Sequence, residues 1–444
     1  MNAPTAAAVT VLLGAGLWTL PGWLPPAVIR LREWIFRRVN GTEGIPVPGP
    51  LIGAEDFERV YSDPAADGRS RGAGLSDLFW YWLAPGPQMH QEHLEPGERH
   101  RAVARTTRQV LAIPHSRSDE LATAATRRVL DELPHDRTSF TRIRDLMMPV
   151  WAEVYHELVF QEPCDRRVRD LIVANAEDVV TALKGTRPRR MWRRARLTRH
   201  LRARVDDGTC PVVLPEPFTA EETTWYLQGA FFNTAVVQMS EAMAHILLCA
   251  ASTTTSPDDD DALDRLIDET LRVHPLFGIA HRITSAPIEL DGGVTVPTGS
   301  VLLFNYLAFQ RTGPAGDDEF RPARWLTLRR KEAHFIPYGI TANRACPARG
   351  VAPVMLRAAT REVLRRFAVT STAAHTRSLP SRGPAYLTPA GRREPGSSRR
   401  RWMRVRDRWE NAGRSVLQLS FGTWMVFDAR RQRLCATYFD QAHR

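Results

Sequence analysis

The stretch Phe335-Ile-Pro-Tyr-Gly339-Ile-Thr-Ala-Asn-Arg344-Ala-Cys346-Pro347-Ala-Arg-Gly350 decides the reading of this chain. A glycine-bearing loop delivers a cysteine to the start of a helix. Pro347 suits the first helical position, where its missing N–H costs nothing. Free N–H groups and the positive helix end would favour a thiolate at Cys346. Arg344, two residues earlier, offers a guanidinium to an anionic group.

Two segments upstream belong with it. Glu269-Thr-Leu-Arg272-Val-His-Pro275 sets an acid and a base three residues apart on one helix face, where they can form a charge-assisted pair. Phe320-Arg-Pro-Ala-Arg324-Trp325 brings another Arg that could close a buried network with that pair. Either segment alone is unremarkable, since such spacings usually mean solvated ion pairs. Thr219–Ala251 reads as one long helix: Thr219 and Glu222 form a capping box just past Pro215 and Pro217. No charge occurs from Thr223 to Ser240, so this helix should be buried on every face. Helices are also predicted over Ala262–His274 and Val351–Phe367, with short strands around Ile288–Leu290, Val294–Val296 and Val301–Phe304.

In this order and spacing the segments resemble the cytochrome P450 family of heme-thiolate enzymes. The similarity runs from roughly Pro50 to Leu387 and is sharpest from Glu269 to Phe367. It implies a mostly α, triangular catalytic domain with a small β region, holding heme b with Cys346 as axial iron ligand. Glu269, Arg272 and Arg324 look like the structural network behind the heme. Arg344 and Arg282 look like partners of its propionates, and His100, Arg101 and Arg105 are candidates for the same task. Ala230-Phe-Phe-Asn233-Thr234 aligns with the family's oxygen-activating motif, which makes Thr234 the oxygen-side hydroxyl. The implied reaction inserts one oxygen from O2 into an apolar small molecule by hydroxylation or epoxidation, in a setting such as bacterial secondary metabolism. A ferredoxin or flavoprotein would supply electrons, since the chain has no flavin or nicotinamide motif.

The sequence departs from the family pattern in places. Phe231 stands where glycine is usual and Asn233 where an acid is usual. The cysteine loop holds one extra residue, and Ala342 and Ala348 replace glycines. An amide cannot relay a proton as a carboxylate does, so Asn233 must work through water or the enzyme uses peroxide. Peroxide-using members often carry Pro after the cysteine, as here. A non-monooxygenase heme enzyme and a heme-containing scaffold protein are the other readings.

Composition agrees with a large globular protein. The 444 residues are 43% apolar, 25% charged and 8% aromatic, which excludes wholesale disorder, collagen and coiled coil. The five cysteines are odd in number and widely spaced, which argues for a reducing, cytoplasmic compartment and against a disulfide framework. The net charge of +11 is concentrated in two patches. Lys184–Arg204 holds ten basic residues and no acid; from residue 391 onward there are thirteen Arg against five acids. No recognition motif accompanies either patch, so nucleic acid is not expected as a partner.

Four regions are expected: a hydrophobic segment over 1–29, a basic and Pro-rich linker over 30–50, the catalytic domain over 51–390, and a basic extension over 391–444. The uncharged first segment followed by Arg suits a membrane anchor, although Pro21, Pro25 and Pro26 weaken it. The two basic patches could face the same anionic surface. Within the extension, Trp402, Val405, Trp409, Ala412 and Val416 predict an Arg-studded helix. Thr423–Phe427 and Leu434–Phe439 predict a β-hairpin.

Overall fold

The computed structural model describes all residues except 1–2, 41–43, 72, 254, 277, 292, 341–342, 374–381 and 443–444. The chain opens with α1 (Ala3–Asn40), β1 (Ile45–Val47), α2 (Phe57–Ser62) and α3 (Gly74–Leu83). The body follows with α4 (Glu98–Val110), α5 (His115–Asp131), β2 (Ser139–Arg142), α6 (Ile143–Phe160), α7 (Arg166–Leu183) and α8 (Met191–Asp206). Next comes one continuous helical run: α9 (Ala220–Leu227), a π-helical turn (Gln228–Ala235) and α10 (Val236–Ala250). After α11 (Asp260–Val273) lie β3 (Ile279–Ile283), β4 (Ile288–Leu290), β5 (Val294–Val296), β6 (Val301–Asn305) and α12 (Tyr306–Gln310). The chain closes with α13 (Ala352–Arg366), β7 (Phe367–Thr370), β8 (Pro384–Pro389), α14 (Ser397–Gln432) and α15 (Leu434–Ala442).

The helical run from α9 to α10 forms where its composition demands. The Thr219 hydroxyl accepts the Glu222 N–H while the Glu222 carboxylate accepts the Thr219 N–H, which satisfies two otherwise open donors at the first turn. Phe231, Phe232, Val236, Met243 and Leu247 are buried around it, in the core that joins α5, α6, α10 and α13. A second core surrounds a three-stranded sheet in which β6 pairs in parallel with β1 and antiparallel with β3. Strands β2, β8 and β7 form a second sheet, and β4 pairs with β5.

The extension differs from its expected form. No hairpin forms there: α14 is helical through Thr423–Phe427, and Leu434–Phe439 lies in α15. Met425 and Ala429, one helical turn apart, are buried against Leu78, Tyr81 and Ala182, and a pleated strand could not present both to that site. Asp77 accepts the N–H groups of Cys435 and Ala436, which anchors the start of α15 on α3. Helix α1 runs unbroken across the boundary expected at residue 29 and through Pro21, Pro25 and Pro26. Among the described residues no helix is long and apolar enough to cross a membrane, so the expected anchor has no spanning segment to support it.

The Lys184–Arg204 run is not a uniformly solvated patch either. Lys184 is part-buried and pairs with Glu241 of α10 at 2.6 Å. Arg194 is buried, on Asp178 at 2.6 Å and on the carbonyls of Trp82 and Ala84. Trp192 stays exposed.

Candidate active site

Cys346 stands at the N-cap of a short 3-10 turn (Pro347–Gly350) that leads into α13, with Pro347 at its first position. Its N–H donates to the Tyr338 carbonyl at 2.8 Å, closing the loop that Gly339 opens. Gly339 has φ +73, and a Cβ there would stand 3.2 Å from the Tyr61 hydroxyl, so both the turn and the close approach call for glycine. The thiol contradicts one expectation. Burial pushes its pKa up to about 11 and outweighs the Ala348 N–H that favours the thiolate. The protein's own groups therefore do not make a free thiolate; a directly bonded metal cation would.

The departures in this loop have a structural counterpart in Asn343. Its amide donates to the carbonyls of Tyr61 (2.7 Å) and Ala66 (2.8 Å) and accepts from Arg69 Nη2 (3.1 Å). Arg344 then adopts a left-handed conformation, φ +58, with its guanidinium on the Leu94 carbonyl at 2.6 Å. Ala342 lies outside the described residues.

Arg344, Arg282, Arg69 and His100 gather on this side of the loop. Burial lowers Arg344 to about 10, with Arg282 near enough to lower it further. His100 falls to about 4 by burial, with Arg344 as the next cause. Arg282 donates to the Tyr61 hydroxyl at 2.7 Å and to the His281 carbonyl at 2.8 Å. Arg282 Nε, Arg69 Nε and Nη1, and His100 Nε2 are buried without a protein partner. Buried guanidinium donors without acceptors are expensive, so this cluster is built for an anionic group. Arg69, only 1% exposed, had no local pattern to mark it in the sequence. Arg101 and Arg105 do not join the cluster: both are on the solvent face of α4, where Arg101 pairs with Glu98.

Glu269, Arg272 and Arg324 are brought together in one buried network. Fully buried Glu269 takes Arg272 through both oxygens (2.8 and 2.9 Å), Arg324 Nε at 3.0 Å and Trp325 Nε1 at 3.0 Å. The Arg321 N–H adds a bond at 2.8 Å, and Arg272 continues to the carbonyls of Ala315, Asp317 and Glu319.

Asn233 and Thr234 sit on the π-helical turn and face different ways. Asn233 Oδ1 accepts from Asn175 of α7, whose amide also takes the Phe232 carbonyl at 3.2 Å. The chain continues to Gln228 and Thr198, so Asn233 belongs to a row of buried neutral groups. Thr234 turns the other way and meets His90 Nε2 at 2.5 Å. Phe231 packs edge-on against Tyr226 and at a tilt to Tyr155. Among the described residues no cluster of three or more His, Cys, Asp or Glu that could hold a metal ion forms.

The cytochrome P450 family model matches residues 261–392. Over those residues the chain is similar to that family. The matched segment holds Glu269, Arg272, Arg282, Arg324, Arg344 and Cys346, while Asn233 and Thr234 lie outside it. Two curated relatives are the ent-cassadiene C11-alpha-hydroxylase 1 of Oryza sativa subsp. japonica and the cyclooctat-9-en-7-ol 5-monooxygenase of Streptomyces melanosporofaciens. Both are 36% identical, over 19% of each chain for the first and 18% of each for the second. The alignments with such relatives thus span about a fifth of their length. A 6-coordinated cytochrome P450 from Thermus thermophilus shares the fold with a TM-score of 0.57 over 75% of this chain and 91% of its own, at 18% identity. Cytochromes P450 are oxidoreductases that hold heme with iron on a cysteine thiolate. The open donors on Arg69, Arg282 and His100 fit the carboxylates of such a group. Cys435 is buried, and its thiol donates to the Ser70 carbonyl at 3.5 Å.

Proposed function

We propose that this chain is a heme-thiolate monooxygenase that inserts one atom of O2 into an apolar small molecule. Cys346 would hold the iron. Arg69, Arg282, Arg344 and His100 would hold the carboxylates of the heme, and the Glu269 network would brace the loop from behind. The heme, when bound, supplies the oxygen chemistry, with the thiolate pushing electron density towards O–O cleavage. The observation that carries this reading is the set of open buried donors on Arg69, Arg282 and His100, tied to the cysteine loop through Asn343 and Arg344. The names of the two relatives, an ent-cassadiene hydroxylase and a cyclooctat-9-en-7-ol monooxygenase, favour a terpene-like substrate. Electrons would come from a separate ferredoxin or flavoprotein.

The peroxide-driven alternative rests on Asn233. An amide bonded into a row of neutral groups offers no proton relay. Turnover of a terpene panel with ferredoxin and its reductase, compared with peroxide alone, decides between the two. Product only with the reductase supports the monooxygenase; product only with peroxide supports the alternative. Intact heme with no product under either condition supports the scaffold reading.

We further propose that the protein docks peripherally on an anionic lipid surface in the cytoplasm. The support is α14. Trp402, Val405, Trp409, Val416, Trp424 and Phe427 are 41–65% exposed, and they fall within a stripe roughly 100° wide at 3.6 residues per turn. Met425 and Ala429 are buried on the opposite face. Arg residues interleave the stripe, and aromatic rings beside Arg suit the headgroup level. Binding to anionic vesicles at low salt, lost in a Trp402→Ser, Trp409→Ser, Phe427→Ser variant, supports docking; no binding by the parent protein refutes it.

A further inference from the structure

The residue that would normally hand a proton to the oxygen side is absent, and another side chain occupies the space around Thr234. His90 comes from the loop before α4, more than a hundred residues away in sequence, yet its Nε2 lies 2.5 Å from Thr234 Oγ1. Its ring seats on the helix where the helix is small and open. A Cβ on Gly229 would stand 3.5 Å from His90 Cδ2, an ordinary contact with the ring edge. The whole contact falls on the π-helical turn, whose released Phe232 carbonyl is taken up by Asn175 on the far side.

The hydrogen bonds of the ring fix its proton. The Glu92 N–H points at His90 Nδ1 at 3.4 Å, which makes Nδ1 the acceptor. The proton of a neutral ring then sits on Nε2 and is donated to Thr234 Oγ1. His90 is buried, against the edge of the His93 ring, with centroids 5.3 Å apart. Burial lowers its pKa, which agrees with a neutral ring. An imidazole held at both nitrogens is a fixed donor, poorly suited to shuttling protons. Because Thr234 Oγ1 already accepts from His90, its own O–H is left to donate elsewhere.

We propose that His90 is the positioning residue of the oxygen side: it holds the Thr234 hydroxyl in one orientation, as acceptor from imidazole and donor towards the reacting oxygen. This rests on the assignment of Thr234 to the oxygen side. It accounts for how a chain with an amide at Asn233 keeps that hydroxyl ordered.

The test uses the reduced, carbon monoxide-bound holoenzyme, which is diamagnetic, with 15N-labelled histidine. The His90 resonances, assigned by their loss in His90→Gln, should show Nε2 protonated and Nδ1 bare, and both should shift in Thr234→Val. Peroxide released per electron should rise about fivefold in His90→Leu and in Thr234→Val, the weight of one net hydrogen bond. The two effects should not add, because one contact underlies both. His90→Gln, which keeps a donor at the ε position, should stay close to the parent protein. A proton on Nδ1, or His90 signals indifferent to Thr234→Val, overturns the proposal even if His90→Leu does not fold. Expected resonances with unchanged coupling in Thr234→Val would show the contact without the role, and it is then the oxygen-side assignment of Thr234 that fails.

Discussion

Glu269 and Arg324 are 55 residues apart in sequence, yet the carboxylate of one accepts the Nε–H of the other at 3.0 Å, with Glu269 fully buried. The carboxylate serves α11 through Arg272, the segment before the cysteine loop through Arg324, and Trp325 through its indole. One acid thus ties α11 to the segment 321–325.

Removing that charge leaves two buried guanidinium groups facing an amide. Glu269→Gln should cost about 3–5 kcal/mol, the range for breaking a buried pair by removing one partner. Denaturant unfolding should show a lowered midpoint with an unchanged slope. Loss of less than about 1 kcal/mol, the weight of a surface pair, would mean that the network is dispensable.

Arg69→Leu separates the heme cradle from the fold. Its Nη2 bonds Asn343, but its other donors are open, so the folded chain loses one hydrogen bond while the anionic site loses a charge. Heme content after purification should fall, and far-ultraviolet circular dichroism should match the parent protein. Full heme retention in Arg69→Leu would take Arg69 out of the cradle.

Lys184 gives the pH dependence. Burial outweighs Glu241 and lowers its pKa to about 8. The folded value lies below the unfolded value of about 10.4, so folding releases a proton between these limits. Stability from this group therefore rises with pH from about 8 to 10.4, and its cost is full below pH 8. Lys184→Met keeps Glu241 paired with Arg144 at 3.2 Å. The variant should unfold no more easily at pH 7 and should show a flatter stability profile between pH 8 and 10. An unchanged profile would mean that Lys184 is not the group responsible.

How much of this was legible in the sequence depends on whether the chemistry is local. The capping box at Thr219 and Glu222, the Glu269–Arg272 pair and the turn at Pro347 are fixed by neighbours within four residues, and they form where their spacing places them. The extension was misread because an apolar run such as Thr423–Phe427 fits a strand or a buried helix equally well by itself. Its docking partners, Leu78 and Tyr81, lie more than 340 residues upstream. Arg69 and His90 escaped for the same reason: what distinguishes them is an unfilled donor or a hydroxyl across the fold. Arg101 and Arg105 were drawn in by charge alone and point to solvent.

The account stands or falls on Cys346. The reduced, carbon monoxide-bound absorption spectrum should show the red-shifted Soret band of a thiolate-ligated heme in the parent protein and in single Ala variants of Cys164, Cys210, Cys249 and Cys435. Cys346→Ala should lose that band. A red-shifted band that survives in Cys346→Ala, or one that vanishes in Cys435→Ala instead, would contradict it.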